Sequence, residues 1–306
     1  MIKPDLSVNL GGIELSSPIL AASGPFGYGH EYLEMIDCEA LGGIIVKGIS
    51  TEPWPGNPPP RLAETPCGLL NSIGLQNPGL ESFLKNDLPL LKKVSSRIIV
   101  NIVGRDINEY AAVASGLDGA EGVDGLEVNI SCPNLKAGGI AFGTDPSATY
   151  KVVAAVRGRT DLPLLVKLSP NVTDITIIAR AARDGGADGL SLINTLSGML
   201  IDVESRKPLL GNMFGGLSGP AVLPVALKMV WQAAGAVDLP LLGMGGITSA
   251  EDALQFFMAG ARAVALGTGF FYNPGLAALV REGLEDYMKT RNISSMDQIE
   301  GIARKG

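Results

Sequence analysis

The sequence is poor in the residues that most metal and nucleophile chemistry requires. It has one histidine, His30, and three cysteines among 306 residues. A single histidine excludes an HExxH zinc motif and a three-histidine metal site, and no GxSxG segment accompanies it as a serine hydrolase would need. Cys38, Cys67 and Cys132 form no CxxC pair and are too few to hold an iron–sulfur cluster. We therefore predict no metal site in this chain.

Charge and long apolar segments are also scarce. Charged residues make up 18% of the chain and the formal net charge is −7, which argues against a surface for nucleic acid or anionic membranes. The first residues lack the apolar segment of a signal peptide, and glycine and proline interrupt the uncharged runs at 208–227 and 263–280. We expect these runs to be loops and buried strands, and the protein to be soluble and cytoplasmic.

What the sequence does contain is a repeated apolar pattern. Eight short apolar runs recur along the chain, each followed by a turn and a helix-like pattern, and such runs are typical of parallel strands buried on both faces. This alternation favours an α/β fold, a (β/α)8 TIM barrel, in a single domain over residues 1–306. The predicted strands are residues 19–22, 43–47, 98–103, 126–130, 164–168, 190–194, 241–244 and 263–266, and the clearest predicted helices are 107–117, 150–157, 175–183, 222–234 and 250–258.

Three segments fall outside the simple alternation. Residues 6–15 alternate around Gly11-Gly12 and predict an N-terminal β-hairpin that closes the bottom of the barrel. The connections at 49–78, after the second strand, and at 196–219, after the sixth, are longer than a barrel needs. Connections of that length are usually functional or disordered, and we predict two long loop insertions here.

The positions where the predicted strands end are polar or glycine-rich, and barrel enzymes place their active sites there. Buried lysines and asparagines cost free energy unless they bind something, which predicts a ligand site. The last two strand ends are glycine-rich and precede helices, a location that commonly binds phosphate in this fold. Since no complete GxGxxG or GxxxxGK[ST] motif occurs, we predict a phosphorylated cofactor in the barrel mouth.

The residue types leave several roles open. Lys47 and Lys167 each suit a Schiff base, a salt bridge or a cation facing the electron-rich edge of a reduced flavin. Cys132 follows a strand end and precedes Pro133, which favours a reactive thiol acting as base or nucleophile over a small buried hydrophobe. We expect Cys38 to lie in the core and Cys67 to be structural.

Nine segments, taken in order, resemble a known enzyme family. They are similar to the class 1B dihydroorotate dehydrogenases, and in particular to the FMN-binding catalytic subunit. One departure is Cys67, where the family pattern suggests a small residue such as glycine. The segments are residues 22–25, 46–50, 71–79, 128–134, 167–171, 193–195, 215–219, 243–247 and 266–268.

The resemblance implies oxidation of (S)-dihydroorotate to orotate in de novo pyrimidine (UMP) biosynthesis. Cys132 is then the general base that removes the C5 proton, with Lys47 beside it in the catalytic group, and FMN takes a hydride from C6. Lys167 would stabilise the anionic reduced flavin. The residues implied for the cofactor are Ser23, Lys47, Gly48, Asn101, Asn129, Lys167, Ile193, Gly219, Gly245, Gly246, Gly267 and Thr268. The residues implied for the substrate are Lys47, Asn71, Ser72, Ile73, Gly74, Leu75, Asn129, Asn194 and Thr195.

The resemblance also implies a partner subunit. A class 1B chain passes electrons to a subunit that carries FAD and a [2Fe–2S] cluster and reduces NAD, in a heterotetramer around a dimer of catalytic chains. This chain lacks the cysteines and the dinucleotide motif for those centres. Residues 136–145 and 167–171 favour class 1B over the fumarate-linked class 1A. Class 2 enzymes use serine as base and carry an N-terminal extension, whereas this chain begins close to the predicted hairpin.

Three other interpretations remain. The flavin subunit of a dihydropyrimidine dehydrogenase shares the barrel and the cysteine but acts on 5,6-dihydrouracil, which lacks the carboxylate. An aldolase-like barrel would use Lys167 as a Schiff base and need no flavin. A non-catalytic scaffold should have lost its polar strand ends, and this sequence keeps them.

Overall fold

The computed structural model describes residues 4–29, 32, 35–131 and 142–305, so that His30 and Cys132 lie outside the described residues. The strands are β1 (Val8–Leu10), β2 (Ile13–Leu15), β3 (Ile19–Ala21), β4 (Gly43–Ile49), β5 (Leu62–Thr65), β6 (Gly68–Asn71), β7 (Arg97–Ile102), β8 (Gly125–Asn129), β9 (Leu164–Lys167), β10 (Gly189–Leu192), β11 (Leu196–Gly198), β12 (Ile201–Asp202), β13 (Lys207–Pro208), β14 (Gly215–Ser218), β15 (Leu241–Met244) and β16 (Ala263–Leu266). The helices are α1 (Ser23–Phe26), α2 (Leu80–Ser82), α3 (Leu88–Leu91), α4 (Ile107–Leu117), α5 (Pro146–Arg157), α6 (Ile175–Asp184), α7 (Leu223–Ala234), α8 (Ala250–Ala259), α9 (Gly269–Tyr272) and α10 (Leu276–Arg291).

Eight strands close into a parallel barrel. Their order around the barrel is β3, β4, β7, β8, β9, β10, β15, β16 and back to β3, so each strand pairs with the next in the chain except where the two long insertions intervene. These are the eight apolar runs of the sequence, and the predicted (β/α)8 barrel is confirmed. Almost every residue of these strands is buried, because helices cover the outer face and side chains fill the interior.

Helices α4, α5, α6 and α8 begin where a short polar side chain caps them. Asp174 accepts a hydrogen bond from the Thr176 amide at the start of α6, and Ser249 accepts one from the Asp252 amide at the start of α8. Gly260 ends α8 in the left-handed conformation. The expectation of loops and buried strands for the two uncharged runs is wrong for residues 223–227, which belong to α7. Within 263–280 it is wrong for α9 and from Leu276 onward, where α10 begins and buries its apolar face. No helix in the described ranges has the length and apolar character that crossing a membrane requires.

The N-terminal hairpin of β1 and β2 lies at the end of the barrel where the strands begin. Gly11 has φ +61°, and a Cβ there would come within 2.6 Å of the carbonyl oxygen of Asp188, directly before β10. Gly12 faces Pro163, directly before β9. The hairpin therefore covers the bottom of the barrel, as the sequence predicts.

The two long insertions pair with each other instead of remaining loops. Strands from both form one antiparallel sheet in the order β11, β14, β6, β5, and the second insertion adds the short hairpin of β12 and β13. The two insertions meet where β14 pairs with β6, with Gly216 opposite Asn71. Glycine is required at 216 because a Cβ would overlap the side chain of Thr195. This sheet stands at the end of the barrel where the strands finish.

Candidate active site

A cavity of about 310 Å³ opens at the C-terminal ends of the barrel strands, and the sheet of the two insertions forms one of its walls. The predicted site residues within the described ranges all line it, although they come from segments spread over most of the chain. They are Ser23, Lys47, Gly48, Asn71, Ser72, Ile73, Gly74, Leu75, Asn101, Asn129, Lys167, Ile193, Asn194, Thr195, Gly219, Gly245, Gly246, Gly267 and Thr268. Cys132, predicted to be the base, lies outside the described residues.

One wall of the cavity rests on a buried polar cluster, which we define as Asn101, Glu127, Lys167 and Ser191. They come from four neighbouring strands, β7 to β10, and none is more than 5% exposed. The Lys167 ammonium lies 3.6 Å from the Glu127 carboxylate and 3.5 Å from the Ser23 hydroxyl. Burying a lysine is costly unless a counter-charge accompanies it, and Glu127 supplies one.

A chain of amide and hydroxyl groups runs from the cluster towards position 132. The side-chain amide of Asn129 donates to the side-chain oxygen of Asn101 at 3.4 Å, and the Ser131 hydroxyl donates to the side-chain oxygen of Asn129 at 2.8 Å. The Asn194 amide then donates to the Ser131 hydroxyl at 2.6 Å. Ser131 directly precedes Cys132 in the sequence and is hydrogen-bonded to two cavity-lining asparagines.

The opposite wall contains residues 71–75, which two asparagines and an arginine hold in place. The side-chain amide of Asn57 donates to the backbone carbonyl oxygen and the hydroxyl of Ser72 at 3.2 and 2.9 Å. Arg61 donates to the backbone carbonyl oxygen of Asn57 at 2.5 Å. Asn77, which is 5% exposed, donates to the Leu75 carbonyl oxygen at 2.9 Å. The backbone of the segment is thereby held by side chains from outside it.

Part of the remaining boundary consists of glycines. Gly245 and Gly246 follow β15 with φ of +133° and +78°, conformations that favour glycine. A Cβ at Gly24 would meet no atom within 4 Å, and one at Gly267 would meet none closer than 3.9 Å. Side chains at these two positions would occupy open space in the cavity, which indicates a cradle shaped for a ligand.

Several residues at the site were not predicted from the sequence. Glu127 could have been recognised, because a carboxylate between Leu126 and Val128 interrupts an apolar strand. The others come from strand ends, helix starts and the sheet of the insertions. Those within 22–25, 215–219 and 243–247 belong to segments of the family resemblance, and no local signal marks the rest. These other residues are Ala22, Gly24, Pro25, Leu62, Leu69, Gly216, Leu217, Ser218, Val222, Met244, Ile247, Thr248, Gly269 and Phe271.

The two described cysteines differ in environment. Cys38 is half-buried and packs against the core, as expected, and burial together with the nearby Asp37 raises the pKa of its thiol. Cys67 is exposed in the turn between β5 and β6, where its carbonyl oxygen accepts a hydrogen bond from the Ala221 amide at 3.0 Å.

Comparison with known proteins gives a consistent result. Residues 5–288 match the model of the family described as dihydroorotate dehydrogenase. The catalytic subunit of dihydroorotate dehydrogenase B (NAD(+)) from Geobacter sp. (strain M21) is 53% identical over 301 residues, which cover 98% of this chain and 99% of that protein. The proteins of the same name from Alkaliphilus metalliredigens and Desulforudis audaxviator are each 54% identical, over 301 and 304 residues, and the match covers 98% and 99% of this chain and 99% of each relative.

Proposed function

The chain belongs to the dihydroorotate dehydrogenase family, and we propose that it oxidises (S)-dihydroorotate to orotate in pyrimidine biosynthesis. The observation that carries this proposal is the convergence of two lysines, a set of asparagines and glycine-rich strand ends on one cavity at the mouth of the barrel. Amide side chains offer both hydrogen-bond donors and acceptors, which suits a pyrimidine ring with its alternating carbonyl and N–H groups.

We propose FMN as the cofactor of this chain, and the cavity fits it. The glycine cradle leaves open space at Gly24 and Gly267, and the backbone at Gly245 and Gly246 can approach a phosphate closely. Lys167 would face the ring system from the buried polar cluster, together with Asn101. FMN, when bound, supplies the acceptor for the hydride that leaves C6 of the substrate.

The substrate would lie between the asparagine chain and residues 71–75. The amides of Asn71, Asn129 and Asn194 would bind the ring, and Lys47 would bind the carboxylate, because an ammonium is the strongest donor available for a carboxylate there. Cys132 would remove the proton from C5. A thiol with an ordinary pKa of about 8.5 can act as a base near neutral pH once a neighbouring cation favours the thiolate.

We also propose a partner. The relatives named above are each called a catalytic subunit, which implies a further subunit in those proteins. For this chain we propose a subunit with FAD and a [2Fe–2S] cluster that delivers the electrons to NAD, in a heterotetramer around a dimer of catalytic chains. The purified chain alone should therefore bind and oxidise dihydroorotate without reducing NAD.

The test is the visible spectrum of the purified, FMN-reconstituted chain under anaerobic conditions, before and after addition of dihydroorotate. Loss of the flavin absorbance near its usual maximum, in step with orotate formation, is the expected result. A flavin spectrum that bleaches with dihydrouracil but not with dihydroorotate would replace the substrate. A chain that binds no FMN would refute the proposal, and trapping of a substrate on Lys167 with borohydride would then favour the aldolase-like alternative.

A further inference from the structure

Glu127 is the acidic member of the buried polar cluster, and the reaction described above gives it no role. It is 0% exposed on β8, and both of its carboxylate oxygens are engaged. One oxygen accepts from the Asn101 amide at 2.5 Å and lies 3.6 Å from the Lys167 ammonium, and the other accepts from the Ser191 hydroxyl at 2.7 Å. Three neighbouring strands thus provide partners for this one carboxylate.

The position of Glu127 relative to the cavity suggests that it acts through its neighbours. Among the described residues that line the cavity, Lys167 and Asn101 are present and Glu127 is absent. Glu127 therefore lies behind both residues, as seen from a bound ligand. The Lys167 ammonium has three N–H donors, and contacts with Glu127 and Ser23 leave one for a group in the cavity.

We propose that Glu127 is a positioning residue that holds Lys167 and Asn101 at the cofactor site and, by offsetting the lysine charge, sets how strongly the site favours reduced over oxidised FMN. The inference rests on the proposed function, because it takes FMN as the occupant of the cavity. Reduction adds negative charge to the ring, and an uncompensated cation would stabilise that charge more than an ion pair does.

The substitution Glu127→Gln isolates the charge from the packing. The two partners of the first oxygen, Asn101 and Lys167, are donors, so the glutamine carbonyl oxygen can replace it. The partner of the second oxygen is the Ser191 hydroxyl, which can rotate and accept from the glutamine NH2. The variant can keep every hydrogen bond of the cluster while losing the negative charge.

The experiment measures the reduction potential of bound FMN at pH 7 by anaerobic titration against a reference dye. In Glu127→Gln we expect the ratio of affinities for reduced and oxidised FMN to rise about tenfold, which for a two-electron couple is a positive shift of about 30 mV. Lys167→Met should shift the potential in the opposite direction. Ser191→Ala, which retains the charge but loses one hydrogen bond, is the matched control and should shift it by less than a third of that amount.

The double variant Glu127→Gln/Lys167→Met tests whether Glu127 acts through the lysine. Where Lys167 is absent, Glu127→Gln has no lysine charge to expose and no lysine to misplace. The double variant and Lys167→Met should therefore have the same potential. This comparison also keeps the proposal testable if Glu127→Gln alone does not fold, because both of its members lack the unpaired lysine.

The outcomes are distinct. A reduction potential in Glu127→Gln that is equal to or below that of the wild type would overturn the inference. So would a shift of the same size when Glu127→Gln is introduced into the Lys167→Met chain, since Glu127 would then act on the flavin directly. The proposed function can fail separately, because potentials are set with the dye and a chemical reductant. A wild-type chain that binds FMN but is not bleached by dihydroorotate would refute the substrate and leave the role of Glu127 measurable.

Discussion

Asn77 provides the sharpest test of how the wall of the cavity is held. Its side chain is buried, and the side-chain oxygen accepts hydrogen bonds from the backbone amides of Ser50 and Gly79 at 3.2 and 3.0 Å. Its amide donates to the carbonyl oxygen of Leu75 at 2.9 Å. One side chain thus connects the end of β4, the turn before α2 and the segment 71–75.

In Asn77→Ala these three backbone groups lose their partner. Each such loss at a buried position costs about 1 kcal/mol or more, so we expect a destabilisation of about 3 kcal/mol. For a chain of this size that corresponds to a decrease in the thermal midpoint of about 5 °C. Orotate affinity should fall as well, because the Leu75 backbone is no longer fixed. FMN retention should not change, because Gly245 and Gly246, at the proposed phosphate site, have no contact with Asn77.

The matched control is Asn86→Ala, the same substitution at an exposed asparagine whose side-chain amide donates to the Ser82 hydroxyl at 3.1 Å. We expect its stability to stay within about 0.5 kcal/mol of the wild type. Differential scanning calorimetry of the apo and FMN-loaded chains gives the midpoints, and the change in the flavin spectrum on orotate addition gives the affinity. Equal midpoints for the two variants would refute the reasoning, as would an unaltered orotate affinity in Asn77→Ala.

Three further predictions concern the cradle and the thiols. Gly267→Ala should leave the thermal midpoint of the apo chain unchanged but weaken FMN binding at least tenfold in a fluorescence titration, because the added methyl occupies open cavity space. Gly275→Ala, at an exposed position, should change neither the midpoint nor the FMN affinity. Normal FMN affinity in Gly267→Ala would contradict the cradle. Cys132→Ser should retain FMN and orotate binding while anaerobic stopped-flow reduction by dihydroorotate slows at least 100-fold, about the value of a general base; reduction at the normal rate would remove Cys132 from that role. Because its raised pKa leaves less thiolate, Cys38 should react with iodoacetamide at pH 8 at least tenfold more slowly than the exposed Cys67, as followed by peptide mass spectrometry. The difference between the two rates should decrease as the pH rises through the Cys38 pKa. Equal rates at pH 8 would contradict the burial of Cys38.

Local patterns were sufficient to predict most of the fold. A strand covered on both faces must be apolar at consecutive positions, and a helix end must satisfy its free amides, so runs such as 241–244 and caps such as Asp174 and Ser249 are visible in the sequence. Residues 276–291 were missed because their first residues continue an uncharged run that glycine and proline had interrupted. Residue types at the strand ends also identified part of the lining of the cavity, and the family resemblance added residues of the insertions such as 71–75, although the chemical roles of all these residues remain predictions.

By itself, therefore, the sequence determined the number and order of the barrel strands, the hairpin at the bottom and the polar strand ends at the mouth. Only the tertiary structure decided that the two insertions pair as one sheet, with the Asn71 amide donating to the Gly216 carbonyl oxygen across 145 residues. It also decided that Glu127 faces Asn101, Lys167 and Ser191 inside the barrel. The physical reason is that strand and helix periodicity depend on neighbours in the chain, whereas pairing across an insertion or a barrel depends on which distant segments closure brings into contact.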